Sequence, residues 1–597
     1  MRVFLMLMLA AGLTANPAMA GRNPGDDDSA KAKKKAAKDE TKKSTEKPAS
    51  SIDTELQIMR ETLQAQAQQL EAQRVALEEQ KREIEDLKVQ VVMGPRLAPD
   101  VPAGSSAAPG GATDGNATLA TAAGGRSNAE GQDKNEPVTA IHFKGITLTP
   151  GGFMAAETVW RNRGLGADIN TPFNTVPFPG SSQSRLSEFN ASGRQSRISM
   201  LVQGGTDTLK MSGYYETDFL SAGVTSNNNE SNSYTLRQRQ FWAQAALNSG
   251  WTFTGGQMWS LVTETRKGVS NRTEATPLTI DPQYTIGFSW ARQYGFRVSK
   301  DFGDKVWLAF SVEGPQTTFT AHGNPDNILI GTPGTSSGLF NSTTNYSLNA
   351  TPDFIVKAVF EPGWGHYEIF GIIDTFRSRF FPCATASMTT PCPINTTITS
   401  PSAFGAGNNT RTGGGIGANA RVSLFAKKVD LGIHILGGGG IGRYGTAGLP
   451  DATARPDGTL ALVREGQALG TIELHPMPKL DVYFNVGGEY AARTAYVGTG
   501  GAEGYGSPAF KNTGCSIEQP PTNQFTPPAP GSCTGDTRNI MEGTFGFWYR
   551  FYDGDKGTLA WGPQYSYVVR NTWSGVGGEP RANDNMIFTS FRYYLPK

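Results

Sequence analysis

The segment Glu542-Gly543-Thr544-Phe545-Gly546-Phe547-Trp548-Tyr549-Arg550-Phe551 alternates between two kinds of side chain. One face carries Phe545, Phe547, Tyr549 and Phe551, and the other carries Glu542, Thr544, Trp548 and Arg550. A strand that crosses a bilayer at a tilt needs about 9 to 11 residues, with lipid-facing and lumen-facing positions in alternation. The segment therefore predicts a membrane-spanning β-strand.

Similar segments recur through the last three quarters of the chain, and together they predict about sixteen strands. An even number suits a closed antiparallel barrel with both ends on one side of the membrane. The predicted strands are 146–160, 192–204, 207–221, 234–247, 250–263, 284–299, 304–314, 352–361, 364–377, 413–427, 429–445, 467–476, 479–495, 537–552, 557–573 and 583–595.

The connections between these segments alternate between tight turns and long loops. Asn248-Ser249-Gly250 and Asp553-Gly554-Asp555-Lys556 are two of the tight turns, with the residue types expected between hairpin strands. With the N-terminus in the periplasm, every short turn lies on the periplasmic side and every long loop outside. Residues 140–597 are therefore predicted to form an all-β, antiparallel transmembrane barrel.

The N-terminus has the features of an export signal. Arg2 precedes an apolar run from Val3 to Leu13, and Ala18-Met19-Ala20 gives a small-x-small cleavage site, so residues 1–20 are predicted to be a signal peptide. The alternative, an N-terminal membrane anchor, needs an apolar run long enough to cross about 30 Å of hydrocarbon. Residues 21–51 are rich in lysine and acids and are predicted to be a disordered tether in the periplasm, which a functional reading would place against the cell wall.

Residues 52–92 carry an unbroken heptad repeat. The a positions are Leu56, Leu63, Leu70, Leu77, Ile84 and Val91, and the d positions are Ile52, Met59, Gln66, Gln73, Gln80 and Leu87. This pattern predicts an α-helical coiled coil about 60 Å long, and polar d residues usually set register and oligomer state. We expect a parallel homotrimer, with a lone charged helix as the alternative, and a flexible linker over 93–139.

The composition narrows the function classes. The formal net charge of +1 lacks the strongly basic stripe of nucleic-acid-binding proteins, so no nucleic-acid partner is expected. Cys383 with Cys392 and Cys515 with Cys533 are predicted to form two local disulfides, because neither pair has CxxC spacing and no histidine lies near. No cofactor or metal site is predicted.

Charged side chains within the strands are predicted to line a water-filled lumen, because an arginine or lysine at lipid depth costs about 2 to 4 kcal/mol. The alternative for each residue is that it pairs within the wall. His434 is also expected to line the lumen, because a hydrolase would need a nucleophile beside it and the sequence indicates no serine partner. Strand parity places inward Arg197, Glu216, Asp218, Arg297, Asp430, His434, Glu489, Arg493, Glu542, Arg550, Arg570 and Arg592.

The sequence does not decide the placement of two features, Arg292 and the third long loop. Arg292 shares parity with Trp290, Tyr294 and Phe296, a conflict that a β-bulge or a position above the membrane would resolve. The third long loop, 262–285, is the candidate for folding into the lumen and setting the constriction, and an exposed loop is the alternative.

The chain resembles the trimeric outer-membrane porins, and more narrowly the DcaP-type porins, from about Ile52 to Lys597. The marks are the heptads, Arg194-Gln195-Ser196-Arg197, Gly256-Gln257-Met258-Trp259-Ser260, and Ala291-Arg292-Gln293 followed by Arg297. The resemblance implies a periplasmic coiled coil before a sixteen-stranded barrel, uptake of small and often anionic compounds such as dicarboxylates, and Arg197, Arg292 and Arg297 as basic lumen residues. The chain differs from these porins in two features. The loops 378–412 and 496–536 carry the cysteines, and the chain ends in Tyr594-Leu595-Pro596-Lys597 in place of a terminal aromatic residue.

These observations predict a porin that passes small hydrophilic solutes by diffusion, rather than an enzyme. The alternative is a structural tether, in which the coiled coil holds the cell wall and a barrel with a blocked lumen is the anchor. An outer-membrane location, with surrounding lipid as a partner, follows from either reading.

Overall fold

A computed structural model describes residues 140–220, 235–322, 327–331, 347–498, 501–520 and 532–596. The predicted signal peptide, tether, coiled coil and linker all lie outside these residues. They are therefore not tested by the structure, and the fold concerns the C-terminal region alone.

Sixteen long strands form the wall of a barrel. Their bounds are β1 Ile146–Arg161, β2 Arg197–Gly205, β3 Leu209–Asp218, β4 Arg237–Leu247, β5 Trp251–Trp259, β6 Arg292–Asp301, β7 Val306–Glu313 and β8 Asp353–Phe360. They continue with β9 His366–Phe380, β10 Gly407–Leu424, β11 Val429–Gly439, β12 Arg464–Met477, β13 Leu480–Ala491, β14 Thr537–Gly554, β15 Gly557–Thr572 and β16 Arg581–Tyr594.

The sheet closes on itself. Each strand pairs antiparallel with the next one along the chain, and β1 pairs with β16 from Phe153 opposite Tyr594 to Arg161 opposite Met586. Closure leaves no unpaired sheet edge, which is what a strand protein needs in lipid. The prediction of an antiparallel barrel with about sixteen strands is confirmed.

Shorter strands and turns accompany the sixteen wall strands. Strands Ile141–Phe143 and Glu188–Ser192 pair with β1, and Ile328–Leu329 pairs with β9. Two small hairpins join Ala452–Ala454 to Leu460–Leu462 and Thr494–Gly498 to Gly501–Tyr505. The 3-10 turns are Phe173–Thr175, Ser182–Arg185, Gly442–Tyr444 and Thr513–Ser516. In the described part of the chain no helix has the length and apolar character to span a bilayer.

The two faces of the wall differ as the alternation predicts. On β14, Met541, Phe545 and Tyr549 are exposed outward, whereas Glu542 and Arg550 are buried inside. Opposite residues of paired strands share a face, so the pattern passes from strand to strand around the barrel. The outer surface is consequently apolar and aromatic, as a lipid-facing band requires.

Three connections run inside the barrel, and two of them displace predicted strand ends. We name them L1 (residues 169–181), L3 (260–291) and L6 (440–463); most of their side chains are buried. Because L3 occupies the lumen, β6 begins at Arg292 rather than at 284, and because L6 turns inward, β11 ends at Gly439 rather than at 445. The main apolar cluster joins L1 and L3 to the inner face of β13–β16, for example Ile280 and Ile286 to Trp548.

Candidate functional site: the barrel lumen and the loop that crosses it

L3 leaves the outer end of β5 and descends along one wall. Near its start, the Leu261 amide donates to Glu313 Oε1 on β7 at 2.8 Å. Farther along, the Gly268 amide donates to Glu361 Oε1 at 2.6 Å, and Glu361 lies in the short turn between β8 and β9. The loop therefore reaches from the end of the barrel that carries the long loops to the end that carries the short turns.

L3 then crosses to the opposite wall. Trp548 Nε1 on β14 donates to the Leu278 carbonyl at 2.8 Å, and the Ile286 amide donates to Glu542 Oε2 at 2.9 Å. The third long loop thus lies in the lumen, and the alternative of an exposed loop is excluded for these residues. L3 therefore contacts two opposite walls and crosses the interior of the barrel.

Glu368 on β9 organises the base of L3. Its Oε1 accepts hydrogen bonds from the Thr265 amide at 2.9 Å and from Thr265 Oγ1 at 2.7 Å, and Lys357 Nζ donates to its Oε2 at 2.8 Å. His366 bridges Glu368 and Glu361, at 2.9 Å from each. We call Lys357, Glu361, His366 and Glu368 the Glu368 network; its charged groups are all largely buried.

Arginines dominate the outer half of β2 to β6. Glu216 Oε1 accepts from Arg239 at 2.7 Å and Oε2 lies 3.5 Å from Arg197, while Asp218 Oδ2 accepts from Arg237 at 2.8 Å and from Arg239 at 2.5 Å. Arg292 and Arg297 lie on the same side of the barrel. We call this region the basic wall. It holds five arginines and two carboxylates, namely Arg197, Arg237, Arg239, Arg292 and Arg297 with Glu216 and Asp218.

Strand parity predicts that Arg237 and Arg239 face outward, so the sequence does not identify them as inward residues. Both share parity with Phe241, which is exposed outward, yet Arg239 is fully buried inside. The pairing of β3 with β4 shifts between Glu216 and Thr217, so that Arg239 is the extra residue of a bulge. A bulge reverses the face of all residues beyond it, and nothing in the local sequence marks its position.

Arg292 and Arg297 reach the lumen differently. Arg297 has inward parity, and its guanidinium donates to Asn271 Oδ1 at 2.8 Å and to the Trp259 carbonyl at 2.6 Å. Arg292 is the first residue of β6 and lies over the Trp259 ring at 5.3 Å, with regular β5–β6 pairing. Its parity conflict is resolved by its place at the strand end, where the chain enters from L3, and not by a bulge.

Carboxylates on the other side of the barrel hold the inward segments. Glu489 Oε1 accepts from the Gly287 amide and from Thr446 Oγ1, both at 2.9 Å, and Glu465 Oε2 accepts from the Ile441 amide at 2.8 Å. With Glu542, which binds Ile286, these groups fix L3 and L6 to β12–β14. Their oxygens are engaged by backbone donors, so their first role is to position the loops.

Burial changes the acidity of two carboxyl groups carried by L3 itself. Burial raises the pKa of Glu274 to about 7 and that of Asp281 to about 6, since neither has a cationic partner close enough to offset the loss of water. Both side chains are more than 90% buried. The loop therefore packs best when these two groups hold their protons.

Other predicted residues lie inside but pair locally. Arg592 Nη2 donates to Glu157 Oε1 at 2.6 Å, Arg550 pairs with Asp481, and Arg570 lies over the Phe178 ring of L1 at 4.4 Å. Arg592 and Arg550 connect wall strands, and Arg570 contacts L1.

Asp430 belongs to a mixed cluster with Glu473 and His475, in which one ligand-type atom from each residue lies within 4.8 Å of the others. This spacing suits a metal ion geometrically. Arg266, however, lies 3.1 Å from Glu473, and His475 Nδ1 lies 2.7 Å from Asp481. The cluster is best described as an ion-pair network at the end of the barrel that carries the short turns.

The prediction that Arg493 lines the lumen is wrong. β13 ends at Ala491, so the parity of the strand does not extend to Arg493. The residue is exposed at the outer rim, where its guanidinium lies over the Trp573 ring at 4.7 Å.

The His434 side chain lies on the inward face of β11 and, unlike the sequence-based expectation, has a serine neighbour. Ser289 Oγ of L3 lies 2.8 Å from His434 Nε2, and Asn419 Oδ1 contacts Nδ1. The nucleophile, base and orienting group of a hydrolase would have this order. All three side chains are buried, and Gln467 also donates to Ser289 Oγ, so the group acts here as a contact between L3 and the wall.

Both predicted disulfides are present, Cys383–Cys392 and Cys515–Cys533. The first lies within its own exposed loop, where it packs on Ala386 and Ile398. The second joins the main apolar cluster, and the Gly180 amide of L1 donates to the Cys515 carbonyl at 2.7 Å.

No protein-family model and no curated protein matches the chain. Among solved structures, it is similar to the outer-membrane channel DcaP of Acinetobacter baumannii, with 14% identity and a TM-score of 0.49 over 77% of this chain and 100% of that one. OmpF of Salmonella typhi gives 10% and 0.40 over 76% and 100%, and an anion-selective porin from Comamonas acidovorans gives 8% and 0.39 over 75% and 100%. The first is a member of the family that the sequence resembles. Likenesses of this size do not carry a function over to this chain.

Proposed function

We propose that the protein is a porin of an outer membrane that passes small hydrophilic solutes by diffusion. The observation that carries this proposal is the placement of charge. Each aspartate and glutamate within the sixteen strands lies on the inward side by its pairing, while the middle of the outward side is mainly apolar and aromatic. A barrel of sixteen strands is wide enough for an aqueous channel, and charged side chains on its inner surface suit a hydrated lumen.

The arrangement favours anions. The basic wall sets five arginines against two carboxylates, whereas Glu465, Glu489 and Glu542 lie on β12–β14. Opposed charges across a narrow passage create a transverse field that orients a dipolar solute. Small carboxylates, dicarboxylates among them, fit this surface.

A second candidate is a structural anchor with a closed lumen. The specific observation in its favour is the packing of L1, L3 and L6, which leaves charged wall residues such as Glu216, Asp218 and Arg239 without exposed surface. In this case the barrel would hold the N-terminal segment at the membrane, and that segment would bind the cell wall.

Reconstitution into planar lipid bilayers separates the two functions. A porin gives stable conductance steps, in triplets if the assembly is a trimer, and a closed anchor gives none. The absence of steps from correctly folded protein would overturn the channel proposal.

Ion selectivity tests the role of the basic wall. Under a KCl gradient, we expect the reversal potential to indicate anion preference, and Arg297→Gln to reduce it, since glutamine keeps a donor for Asn271 and removes the charge. Arg185→Gln is the matched control, because Arg185 is an exposed loop residue 3.8 Å from Glu518. Equal potentials for both variants and the parent protein would contradict anion preference.

The assembly belongs to the same proposal. We place the coiled coil of 52–92 in the periplasm, where it gathers three barrels into a homotrimer. The proposal assigns no catalytic residue and no cofactor.

A further inference from the structure

Four arginines decorate the outer rim of β12 to β16. Arg464 is the first residue of β12, Arg538 the second of β14 and Arg581 the first of β16, and Arg493 follows β13. All four lie at the strand ends that carry the long loops. We call them the arginine patch.

Trp573 is at the centre of the patch. The Arg493 and Arg538 guanidinium carbons lie 4.7 Å and 5.8 Å from its ring centroid. The Trp573 ring also contacts that of Tyr490, at 6.1 Å between centroids, and Tyr490 is 41% exposed on the outward face of β13. Because Trp573 packs against the main apolar cluster as well, the patch lies at the rim where the interior of the barrel meets the lipid-facing band.

The patch has little negative charge to balance it. Arg538 pairs with Glu579 at 2.6 Å, and Arg493 donates only to Ser574. Among the described residues, the guanidinium groups of Arg464 and Arg581 have no ion pair. Exposed arginines that share one carboxylate are well placed to bind phosphate, because a guanidinium presents paired donors to its oxygens.

The position of the arginine patch just above the lipid-facing band indicates what kind of molecule it binds. Below Arg581 and its neighbour Asn571, the outward residues of β15 and β16 change to Tyr567, Tyr565 and Ile587. This order, from charge through amide to aromatic and aliphatic groups, follows the order of a lipid headgroup above its acyl chains.

A second copy of the chain fits the patch less well. No aspartate or glutamate of the sixteen strands is on the outward side, so the wall of another barrel offers no carboxylate to the arginines. Charge complementarity therefore favours an anionic lipid.

We propose that the arginine patch binds the phosphorylated headgroup of a lipid in the outer leaflet. The inference requires the barrel to sit in a membrane but does not require it to conduct. Bound lipid would fix the rim from which L6 and the long loop 492–536 begin, and salt should weaken the binding.

Native mass spectrometry of the full-length protein in nonionic detergent tests the proposal. Lipid A with its phosphates, dephosphorylated lipid A and inorganic phosphate are the three probes. We expect the phosphorylated lipid to bind, and the triple variant R464Q/R493Q/R581Q to bind it at least tenfold more weakly, because each cation near an anionic surface contributes severalfold. Arg185→Gln, which removes one exposed arginine outside the patch, should change the affinity less than twofold.

Unchanged lipid binding by the triple variant, or equal binding of the dephosphorylated lipid, would overturn the proposal. Equal affinity for inorganic phosphate would identify a site for free anions instead and would also overturn it. A change of oligomeric state in the triple variant with lipid binding intact would assign the face to contacts between copies. Conductance of the triple variant serves as the folding control, since none of its three positions faces the lumen.

Discussion

At the scale of single residues, Glu368 holds the base of L3 to the wall. It accepts two hydrogen bonds from Thr265 and one from buried Lys357. Glu368→Gln removes the charge that compensates Lys357, and leaving one partner of a buried ion pair unmatched costs about 3 to 5 kcal/mol. We expect the free energy of unfolding to fall by about 3 kcal/mol and current fluctuations to increase as the base of L3 detaches.

The double variant K357M/E368Q is the matched control for this prediction. It removes both charges at once and keeps a side-chain acceptor at position 368 for Thr265, so it should be more stable than Glu368→Gln alone. Heat-modifiable migration in gels and single-channel recordings supply the two readouts. Equal stability of Glu368→Gln and the parent protein would contradict the assigned role.

At the scale of elements, L3 should respond to pH through Glu274 and Asp281. Their pKa values in the packed loop, about 7 and about 6, lie above the ordinary values of 4.5 and 3.8. The packed loop therefore binds more protons than a detached one between these limits. Its stabilisation is complete below pH 3.8, falls as the pH rises and is lost above pH 7; for Glu274 alone the difference is about 3 kcal/mol.

Hydrogen exchange of L3 amides measures this effect. We expect slower exchange at pH 5 than at pH 8, after correction for the intrinsic rate, with the difference strongly reduced in E274Q/D281N. An equally protected L3 at both pH values would show that the two carboxyl groups do not control its packing.

The two disulfides should differ in importance. Cys515–Cys533 anchors L1 through Cys515, whereas Cys383–Cys392 packs only within its own loop. Replacing Cys515 and Cys533 by serine should lower the free energy of unfolding by roughly 2 to 4 kcal/mol and disturb the conductance. Replacing Cys383 and Cys392 by serine should leave the conductance unchanged. Equal effects of the two replacements would contradict this assignment.

The sequence predicts the wall better than the lumen for a physical reason. Lipid imposes a period of two on every strand, so all sixteen strands and both loop classes can be read from the alternation. L3 and L6 obey no such period, because their contacts with Glu361, Glu489 and Glu542 join residues far apart in sequence. The Arg239 bulge and the end of β13 before Arg493 likewise depend on neighbouring strands, which a single segment does not encode.

At the scale of the whole molecule, the sixteen strands close the sheet among themselves. β1 pairs with β16, so the strands from Ile146 to Tyr594 form a complete ring. The predicted coiled coil then has one task in the porin proposal, which is to bring three barrels together. In the anchor proposal it carries the function itself.

Deletion of residues 21–92, with the predicted signal peptide retained, distinguishes these roles. For a porin, we expect the purified barrels to keep the conductance of a single step and the trimer to dissociate at a lower temperature, because the heptads no longer hold it. Deletion of 21–51 alone is the control and should leave the trimer intact, since it removes only the predicted tether. Loss of conductance from folded barrels lacking 21–92 would contradict an independent channel, whereas a lost cell-envelope phenotype with conductance retained would assign the tethering role to this segment.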